Sequence, residues 1–504
     1  MPQPTLAARR AIARARWAAR GALLLLCLTA LGGCGSHGRG RQIGLHECRL
    51  PKLVTAALCG SVDVAEDRSK PTGRRLAIAV AVLPATTLSP QPDPLLMLAG
   101  GPGQSADALV PLAAELGGVR RSRDIVLIDP RGTGKSAPLA CAALAPRDAL
   151  DDMAEPGALA DAAQRCIAEL NAGGRADVAQ YTTSAFVADV DAVRAALGYE
   201  QVNLWGGSYG TRVAQEYLRQ YPQHVRSVIL DGAVPPSMRI SLDVWPSRDA
   251  AIDGVLVACA ASDACRRAYP DLDASLSRIR DKLGAARPVS FADPRTGAPR
   301  SLTPSFDMVI AALQGLVYVP EFASLIPALL ARAEAGDYAP LVASALVFSD
   351  DVARTTNLAL HFAVTCAEDA PRVDAADADR VLSTLRAPEL ARRNLTACEG
   401  WPRPPLPADF HAPVVSNKPV LIFSGGLDPV TPPGAGAEVA KTLSNSRHII
   451  AAGYGHLVSP HACAPRLIEK FVEAAGFATL PQSCIDYFAA SARPPLFSSL
   501  LEAR

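Results

Sequence analysis

The sequence predicts an α/β protein whose sheet is mostly parallel and is covered by helices on both faces. Two observations lead to this prediction. Short apolar runs, typical of buried strands, recur along the chain, and helical patterns separate several of them. The predicted strands are 75–83, 95–98, 124–129, 202–205, 227–230, 420–423 and 447–450. Three predicted helices lie between these strands, 185–197, 211–220 and 436–443, and a fourth, 465–475, follows the last strand.

The alternation stops between residues 234 and 413. This stretch has mostly helical patterns, loops rich in Pro and Ala, and a Pro-rich end. We therefore expect a mainly helical domain, 234–413, inserted into the sheet domain. The sheet domain would then consist of residues 45–233 and residues 414–504.

Composition and charge exclude two broad classes of protein. Of the 504 residues, 49% are hydrophobic and 20% are charged, which is an ordinary globular balance and excludes wholesale disorder. Lys and Arg number 50 against 49 Asp and Glu, for a net charge of +1. Because there is no excess of positive charge, we expect no nucleic-acid partner.

The first 33 residues have the pattern of a bacterial export signal. Five arginines precede an apolar stretch, 21–31, which is short compared with the roughly 20 residues that a membrane-spanning helix needs. The stretch ends in Leu-Gly-Gly before Cys34, which resembles a lipoprotein processing site and implies lipidation of Cys34. Residues 34–44 would form a flexible tether to the cell envelope. The alternative is an ordinary cleaved signal peptide and a secreted protein.

Cysteine usage agrees with export into an oxidising compartment. Twelve cysteines are present, and ten remain when Cys27 in the signal and Cys34 are set aside. None forms a C-x-x-C motif, so a zinc site is not expected. Pairing of neighbours predicts the disulfides Cys48–Cys59, Cys141–Cys166, Cys259–Cys265, Cys366–Cys398 and Cys463–Cys484. The alternative is that some are buried free thiols.

A G-x-S-x-G motif supplies the candidate nucleophile. It spans residues 206–210, follows a predicted strand and precedes a predicted helix. This strand–turn–helix setting is that of a nucleophile elbow, in which the serine projects from a tight turn. We therefore predict that Ser208 is a catalytic nucleophile, which requires a base to accept its proton.

Two further residues follow predicted strands and complete a candidate triad. Asp428 follows the strand 420–423, and His456 follows the strand 447–450 on a glycine loop. Because carboxyl ends of parallel strands meet at one sheet edge, Ser208, Asp428 and His456 are expected to meet there. Asp428 would orient and stabilise the imidazole, and His456 would be the base. His461 is the nearest rival base, but it opens a helix.

No metal or organic cofactor is expected for this chemistry. The H-E-x-x-H pattern of zinc peptidases does not occur. Residues 132–136 resemble the end of a nucleotide-binding P-loop, but the glycine required earlier in that motif is replaced by Asp129.

The order of motifs resembles the proline iminopeptidase and tripeptidyl aminopeptidase group of the α/β-hydrolases, peptidase family S33. The motifs are GGPG, DPRGTGKS, GGSYG, GGLDPVTP and GYGH, and the resemblance covers roughly residues 75–235 and 360–485. It implies an α/β-hydrolase fold with an inserted helical cap. It also implies a serine exopeptidase that releases one or a few residues from the N-terminus of a peptide.

The same resemblance implies an oxyanion hole formed by backbone N–H groups. The loop GGPG lies where the family supplies one donor, and Tyr209, after the nucleophile, supplies the other. Because Pro102 has no N–H, Gly101 is the first choice and Gly100 the second.

An aminopeptidase must bind a cationic amine, for which carboxylates are suited. Cys366-Ala367-Glu368-Asp369 resembles an acidic motif of the family's inserted region. Glu368 is the first candidate and Asp369 the second, and the alternative is a solvated or helix-capping acid beside a disulfide. A carboxylesterase with the same triad would not need this pair, and it is the alternative function.

Overall fold

A nine-stranded sheet lies at the centre of the protein. The computed structural model describes residues 43–145, 158–284 and 287–490. The strands are β1 His46–Cys48, β2 Ala57–Ala65, β3 Arg75–Leu83, β4 Leu95–Leu98, β5 Ile125–Ile128, β6 Val202–Gly207, β7 Val225–Asp231, β8 Val289–Ala292, β9 Pro299–Leu302, β10 Val420–Gly425 and β11 Ser446–Ala451. The sheet order is β1-β2-β3-β5-β4-β6-β7-β10-β11, and β8 pairs with β9 in a separate ribbon. The pairs from β5 to β11 are parallel, whereas β1, β2 and β3 add three antiparallel pairings.

Helices cover both faces because the parallel strands are apolar on both sides. Leu95 and Met97 of β4 belong to one apolar cluster, and the alternate residues Leu96 and Leu98 belong to the other. The helices outside the segment between β7 and β10 are Val110–Glu115, Gly117–Arg120, Ala158–Ala172, Thr183–Ala196, Tyr209–Gln220, Pro433–Ala440, Ala464–Ala474 and Gln482–Ala490. The predicted class, a mostly parallel sheet with helices on both faces, is confirmed.

The antiparallel edge of the sheet was not predicted. β1 pairs with β2 and β2 pairs with β3, both antiparallel. β2 contains a glycine and alternates apolar with polar residues, as a half-exposed strand does, so it lacks the continuous apolar run used to find the buried strands. The seven predicted strands are all present, with ends that differ by at most two residues.

The segment between β7 and β10 has an apolar cluster of its own, built from its helices and from residues of the β8–β9 ribbon. Its helices are Ile240–Ala261, Asp263–Ala268, Leu272–Leu283, Phe306–Leu316, Pro320–Ala323, Ile326–Glu334, Ala339–Thr355, Leu358–Glu368, Ala375–Leu382 and Pro388–Thr396. The segment is mainly helical, and the ribbon is an element that the sequence did not predict. The proposed domain boundaries, 234 and 413, stay a prediction.

All five predicted disulfides are formed with neighbour pairing. One joins the adjacent strands β1 and β2, and another joins Cys463, just before the helix Ala464–Ala474, to the helix Gln482–Ala490. The predicted signal peptide 1–33, the lipidation site Cys34 and the tether up to residue 42 lie outside the described residues. No helix in the described part of the chain is both long enough and apolar enough to cross a membrane.

The strand register brings the carboxyl ends of the central strands to one edge. Leu98 at the end of β4 lies beside Gly206, and Gly207 at the end of β6 lies beside Asp231. Farther along the sheet, β7 pairs with β10 and β10 pairs with β11. The last residues of β10 and β11, Gly425 and Ala451, lie side by side. The loops that follow β4, β6, β10 and β11 therefore leave the sheet at the same edge.

Candidate active site

Ser208 occupies a strained turn between β6 and the helix Tyr209–Gln220. Its φ of 55° lies in the left-handed region, which non-glycine residues rarely adopt. The flanking glycines are required by close backbone contacts. A Cβ at Gly206 would lie 2.3 Å from the carbonyl oxygen of Gly210, and one at Gly210 would lie 2.1 Å from that of Leu98. This is the geometry of a nucleophile elbow, with the serine held at the sheet edge.

Asp428 and His456 are joined by hydrogen bonding. Nδ1 of His456 lies 2.9 Å and 3.0 Å from the two carboxylate oxygens of Asp428, which is fully buried. The same carboxylate accepts the backbone N–H groups of Val430 and Thr431, each at 2.8 Å, and the Thr431 hydroxyl at 2.9 Å. Burial alone would raise the pKa of Asp428, but its contacts with His456 and these donors outweigh it and lower the pKa. Asp428 is therefore an ionised carboxylate hydrogen-bonded to Nδ1 of His456, an arrangement compatible with the predicted role of Nε2 as the base.

The pKa of His456 is raised above its usual value. Burial acts to lower this pKa. The charge of the Asp428 carboxylate and its hydrogen bond to His456, together with the charge of Asp231, outweigh burial and raise it. Arg248 acts in the opposite direction. The backbone of His456 is held as well, since its N–H donates to the carbonyl oxygen of Tyr318 at 2.9 Å.

The end of β7 connects the nucleophile to the histidine loop. The N–H of Ser208 donates to the carbonyl oxygen of Asp231 at 2.8 Å. The buried carboxylate of Asp231 accepts the N–H groups of Val458 and Ser459, just after the histidine, at 2.7–3.1 Å. Asp231 is followed by Gly232, where a Cβ would lie 3.1 Å from Cε1 of His456. Residues 231–232 thus lie against both the turn of Ser208 and the loop that carries His456.

The glycine loop after β4 packs against the nucleophile. A Cβ at Gly100 would lie 3.2 Å from Cβ of Ser208, and Gly101 has a φ of 104° that side chains rarely allow. Tyr209 is the first residue of its helix, where backbone N–H groups lack partners within the helix. These positions are compatible with the oxyanion-hole roles of Gly101, Gly100 and Tyr209, which stay a prediction.

The two candidate amine-binding acids are buried and already have partners. Glu368 accepts the backbone N–H of Thr183 at 2.6 Å and its hydroxyl at 2.8 Å, and that hydroxyl also contacts the Tyr209 hydroxyl at 2.7 Å. Burial raises the pKa of Glu368 to about 7. Asp369 pairs with the buried guanidinium of Arg212 at 2.9 Å. Both acids therefore contact the helix that follows the nucleophile, and their role in amine binding stays a prediction.

Four residues of this region were not found by sequence reasoning. Asp231 ends a strand that was predicted, so its position at the sheet edge was a usable signal. Thr431 lies within the GGLDPVTP motif, three residues after the acid. Tyr318 and Arg248 come from the inserted segment, and no pattern in the sequence indicates that they return to the triad.

The described residues contain no cluster of three or more His, Cys, Asp or Glu side chains able to hold a metal ion. The predicted rival base, His461, lies five residues beyond His456, and its ring is tilted by 44° against that of Tyr454, with a centroid separation of 5.1 Å. The acid–base geometry found at His456 is not repeated there among the described contacts.

Comparisons with known proteins agree with this site. The model of a family described as "alpha/beta hydrolase fold" matches residues 93–290, and that of "TAP-like protein" matches residues 386–484. Serine protease Hip1 of Mycobacterium tuberculosis is 27% identical over 480 residues, which cover 85% of this chain and 89% of Hip1. Tripeptidyl aminopeptidase of Streptomyces coelicolor is 35% identical over 204 residues, 37% of this chain and 36% of that protein.

A third relative has a name of a different kind. Carboxylesterase B of Mycobacterium tuberculosis is 29% identical over 429 residues, which cover 77% of this chain and 79% of that protein. The first family model contains the nucleophile turn, and the second contains the acid and the histidine. The chain therefore has the α/β-hydrolase fold, and it is a serine hydrolase.

Proposed function

We propose that this protein is an exported serine exopeptidase that releases one or a few residues from the N-terminus of a peptide. The observation that carries the proposal is the Asp428–His456 pair at the same sheet edge as the strained turn of Ser208. The similarity to a serine protease and to a tripeptidyl aminopeptidase supports peptides as the substrate class.

The reaction proceeds through an acyl-enzyme. Oγ of Ser208 attacks the scissile carbonyl carbon while Nε2 of His456 accepts the hydroxyl proton. The N–H groups of Gly101, or Gly100, and of Tyr209 stabilise the oxyanion. His456 then protonates the departing amine. A water molecule, deprotonated by the same imidazole, hydrolyses the acyl ester and releases the N-terminal fragment.

The first experiment asks whether Ser208 is the nucleophile. A fluorophosphonate should label the wild type, and Ser208→Ala should lose both labelling and hydrolysis. Ser277→Ala, at an exposed helix position of the inserted segment, is the matched control and should be labelled like the wild type. Labelling that persists in Ser208→Ala would place the nucleophile elsewhere.

The second experiment separates an exopeptidase from an esterase. Aminoacyl, prolyl and tripeptidyl p-nitroanilides are compared with the same compounds acetylated at the amine and with short acyl esters. An exopeptidase requires the free amine, so acetylation should abolish hydrolysis of the anilides. Hydrolysis of the esters alone would establish the alternative, a carboxylesterase, which the relative named carboxylesterase B favours.

Export and anchoring are part of the proposal. Five disulfides suit an oxidising compartment outside the cytoplasm. The only membrane association proposed is through a lipid at Cys34. Cells grown with labelled palmitate should label the wild type but not Cys34→Ala, and the variant should leave the envelope fraction. Unlabelled wild-type protein in the medium would indicate a secreted protein.

A further inference from the structure

A guanidinium of the inserted segment lies near the triad without an acidic partner. Arg248, on the helix Ile240–Ala261, stacks over the ring of Trp245 at 4.6 Å and donates to the Tyr318 hydroxyl at 3.2 Å. Among the side chains that the structure describes, no carboxylate lies within ion-pair distance of it. Arg239, near the start of the same helix, pairs with Asp243 at 2.7 Å, so this helix does pair arginines with acids elsewhere.

Tyr318 places this guanidinium one aromatic ring from the catalytic base. The Tyr318 ring meets the His456 ring edge-on, with centroids 5.4 Å apart, and the Arg248 guanidinium carbon is 5.9 Å from the same tyrosine centroid. The charge of Arg248 also reaches His361, whose pKa falls to about 4, mainly through burial. His361 in turn lies 3.3 Å from the carbonyl oxygen of Pro102 in the glycine loop. The charge of Arg248 therefore acts both on His456 and on His361, which lies beside the glycine loop after β4.

The Arg248 guanidinium has two unfavourable features in this structure. Its Nε is buried without a hydrogen-bond partner, which costs free energy in any protein interior. Its positive charge also opposes protonation of His456, the event on which acyl transfer depends. A carboxylate bound to the guanidinium removes both penalties, because it accepts from the free N–H groups and cancels the charge. A role only in stacking on Trp245 would remove neither.

We infer that Arg248 is a specificity residue that binds a carboxylate of the substrate. The inference rests on the proposed hydrolysis at Ser208, and it deepens the substrate class to acyl compounds that carry a carboxylate near the scissile bond. In a peptide that carboxylate has two sources. It is an acidic side chain on the released N-terminal fragment, or it is the free C-terminus of a short leaving peptide.

Matched substrate pairs test the inference and distinguish the sources. For the acyl side, tripeptidyl anilides with Glu and with Gln next to the scissile bond are compared. For the leaving side, short peptides ending in a free carboxylate are compared with their C-terminal amides. The wild type should prefer the acid in one pair by about 10-fold in kcat/KM, as expected for one charge-assisted hydrogen bond. Equal rates for acid and neutral members of both pairs would overturn the inference.

Variants show whether the preference depends on the guanidinium. Arg248→Met keeps an apolar stem over Trp245 and should reduce the acid-to-neutral ratio of kcat/KM to about one, while Arg248→Lys should retain part of it. The control is Arg280→Met, which removes a similar stacked arginine, 4.1 Å from the Phe306 ring, and should keep the wild-type ratio. An Arg248→Met variant that loses acid and neutral substrates equally would make Arg248 structural.

The test remains decisive if the peptidase proposal fails. An esterase is assayed with monoethyl adipate against ethyl hexanoate, a pair that differs in the terminal carboxylate of the acyl chain. Absence of peptide hydrolysis with a preference for the adipate ester would reject the exopeptidase and support Arg248 as a carboxylate-binding residue. Peptide hydrolysis without any preference for acidic substrates would support the exopeptidase and reject Arg248 as a carboxylate-binding residue.

Discussion

The carbonyl oxygen of Asp231 accepts the N–H of Ser208, so the residue that ends β7 holds the nucleophile turn. Its carboxylate meanwhile accepts three short contacts from two backbone N–H groups just after His456. One residue is therefore bonded to both the strand-to-helix turn and the histidine loop. We therefore expect the position of Ser208 relative to His456 to depend on Asp231.

Asp231→Asn should lower both stability and activity. The asparagine has a single acceptor oxygen, so its NH₂ group would face a backbone N–H, and leaving that group unpaired costs about 1–3 kcal/mol. Loss of the negative charge should also lower the pKa of His456. We expect a smaller free energy of unfolding in urea and a lower kcat. We also expect the acidic limb of the pH profile of kcat/KM to move to lower pH.

Asp93→Asn is the matched control for Asp231→Asn. Asp93 is also a buried aspartate with hydrogen-bonded partners, Arg123 and Asn203, but it lies before β4, at the opposite end of that strand from the glycine loop. Its variant should lose stability while the acidic limb stays where it is in the wild type. An unchanged limb in both variants would mean that Asp231 does not act on His456.

The pH profile should report the raised pKa of His456. Only the neutral imidazole accepts the Ser208 proton, so kcat/KM should rise with pH through a midpoint above the usual 6.5. Asp428→Asn removes the carboxylate that raises this pKa most and should lower kcat by about 10³- to 10⁴-fold, because the amide favours the wrong imidazole tautomer and carries no charge to stabilise the imidazolium. A profile that is flat between pH 5 and 9, with chemistry shown to be rate-limiting, would contradict the assignment of His456.

The same raised pKa affects stability with a defined sign. Because the folded state holds the proton more tightly than the unfolded chain, protonated His456 stabilises the fold below pH 6.5. That contribution should be lost as pH rises through the higher folded pKa. Urea unfolding of His456→Gln should lack this component, and an identical pH dependence in variant and wild type would contradict it.

Glu368→Gln decides between amine binding and a structural role. The amide can still accept the Thr183 N–H and can donate to its hydroxyl, which then donates to Tyr209, so the network survives. If Glu368 binds the ammonium, the ratio of kcat/KM on free-amine anilides to that on a neutral ester should fall by about 10- to 150-fold.

Two comparisons sharpen the test of Glu368. Glu389→Gln, an exposed acid of the same inserted segment, should keep the wild-type ratio. Glu368→Ala leaves the Thr183 donors unpaired and should destabilise the protein whichever role is correct. An unchanged ratio in Glu368→Gln would assign Glu368 to the support of Tyr209 and return the amine-binding role to another acid.

The disulfides should contribute to stability according to the length of chain they close. Cys463–Cys484 spans 21 positions and Cys259–Cys265 spans 6, which in the chain-entropy model correspond to about 3 and about 2 kcal/mol. Paired Cys→Ala variants compared by urea unfolding should show that order. The denatured, non-reduced protein without its signal should have at most the thiol of Cys34, and two or more thiols would contradict the pairing.

Sequence patterns were sufficient to predict the buried strands of the sheet and the residues that we propose for the triad. Buried parallel strands appear as continuous apolar runs, and chemistry in such sheets follows the carboxyl ends of strands, so Ser208, Asp428 and His456 could each be located from one local pattern. The disulfides were equally accessible because each cysteine pairs with its neighbour in the chain. These predictions needed only local signals and the rule that parallel strands end at one edge.

The positions of the inserted segment and of the end of β7 relative to His456 follow from tertiary packing alone. Arg248 lies on the helix Ile240–Ala261 and Tyr318 lies in the turn after the helix Phe306–Leu316. Their closeness to His456 results from packing between segments more than 130 residues apart in the chain. The same holds for Asp231, whose carboxylate accepts hydrogen bonds from Val458 and Ser459, more than 200 residues later in the chain. Such contacts have no periodicity to reveal them, because they depend on the order of strands in the sheet and on where the inserted segment returns.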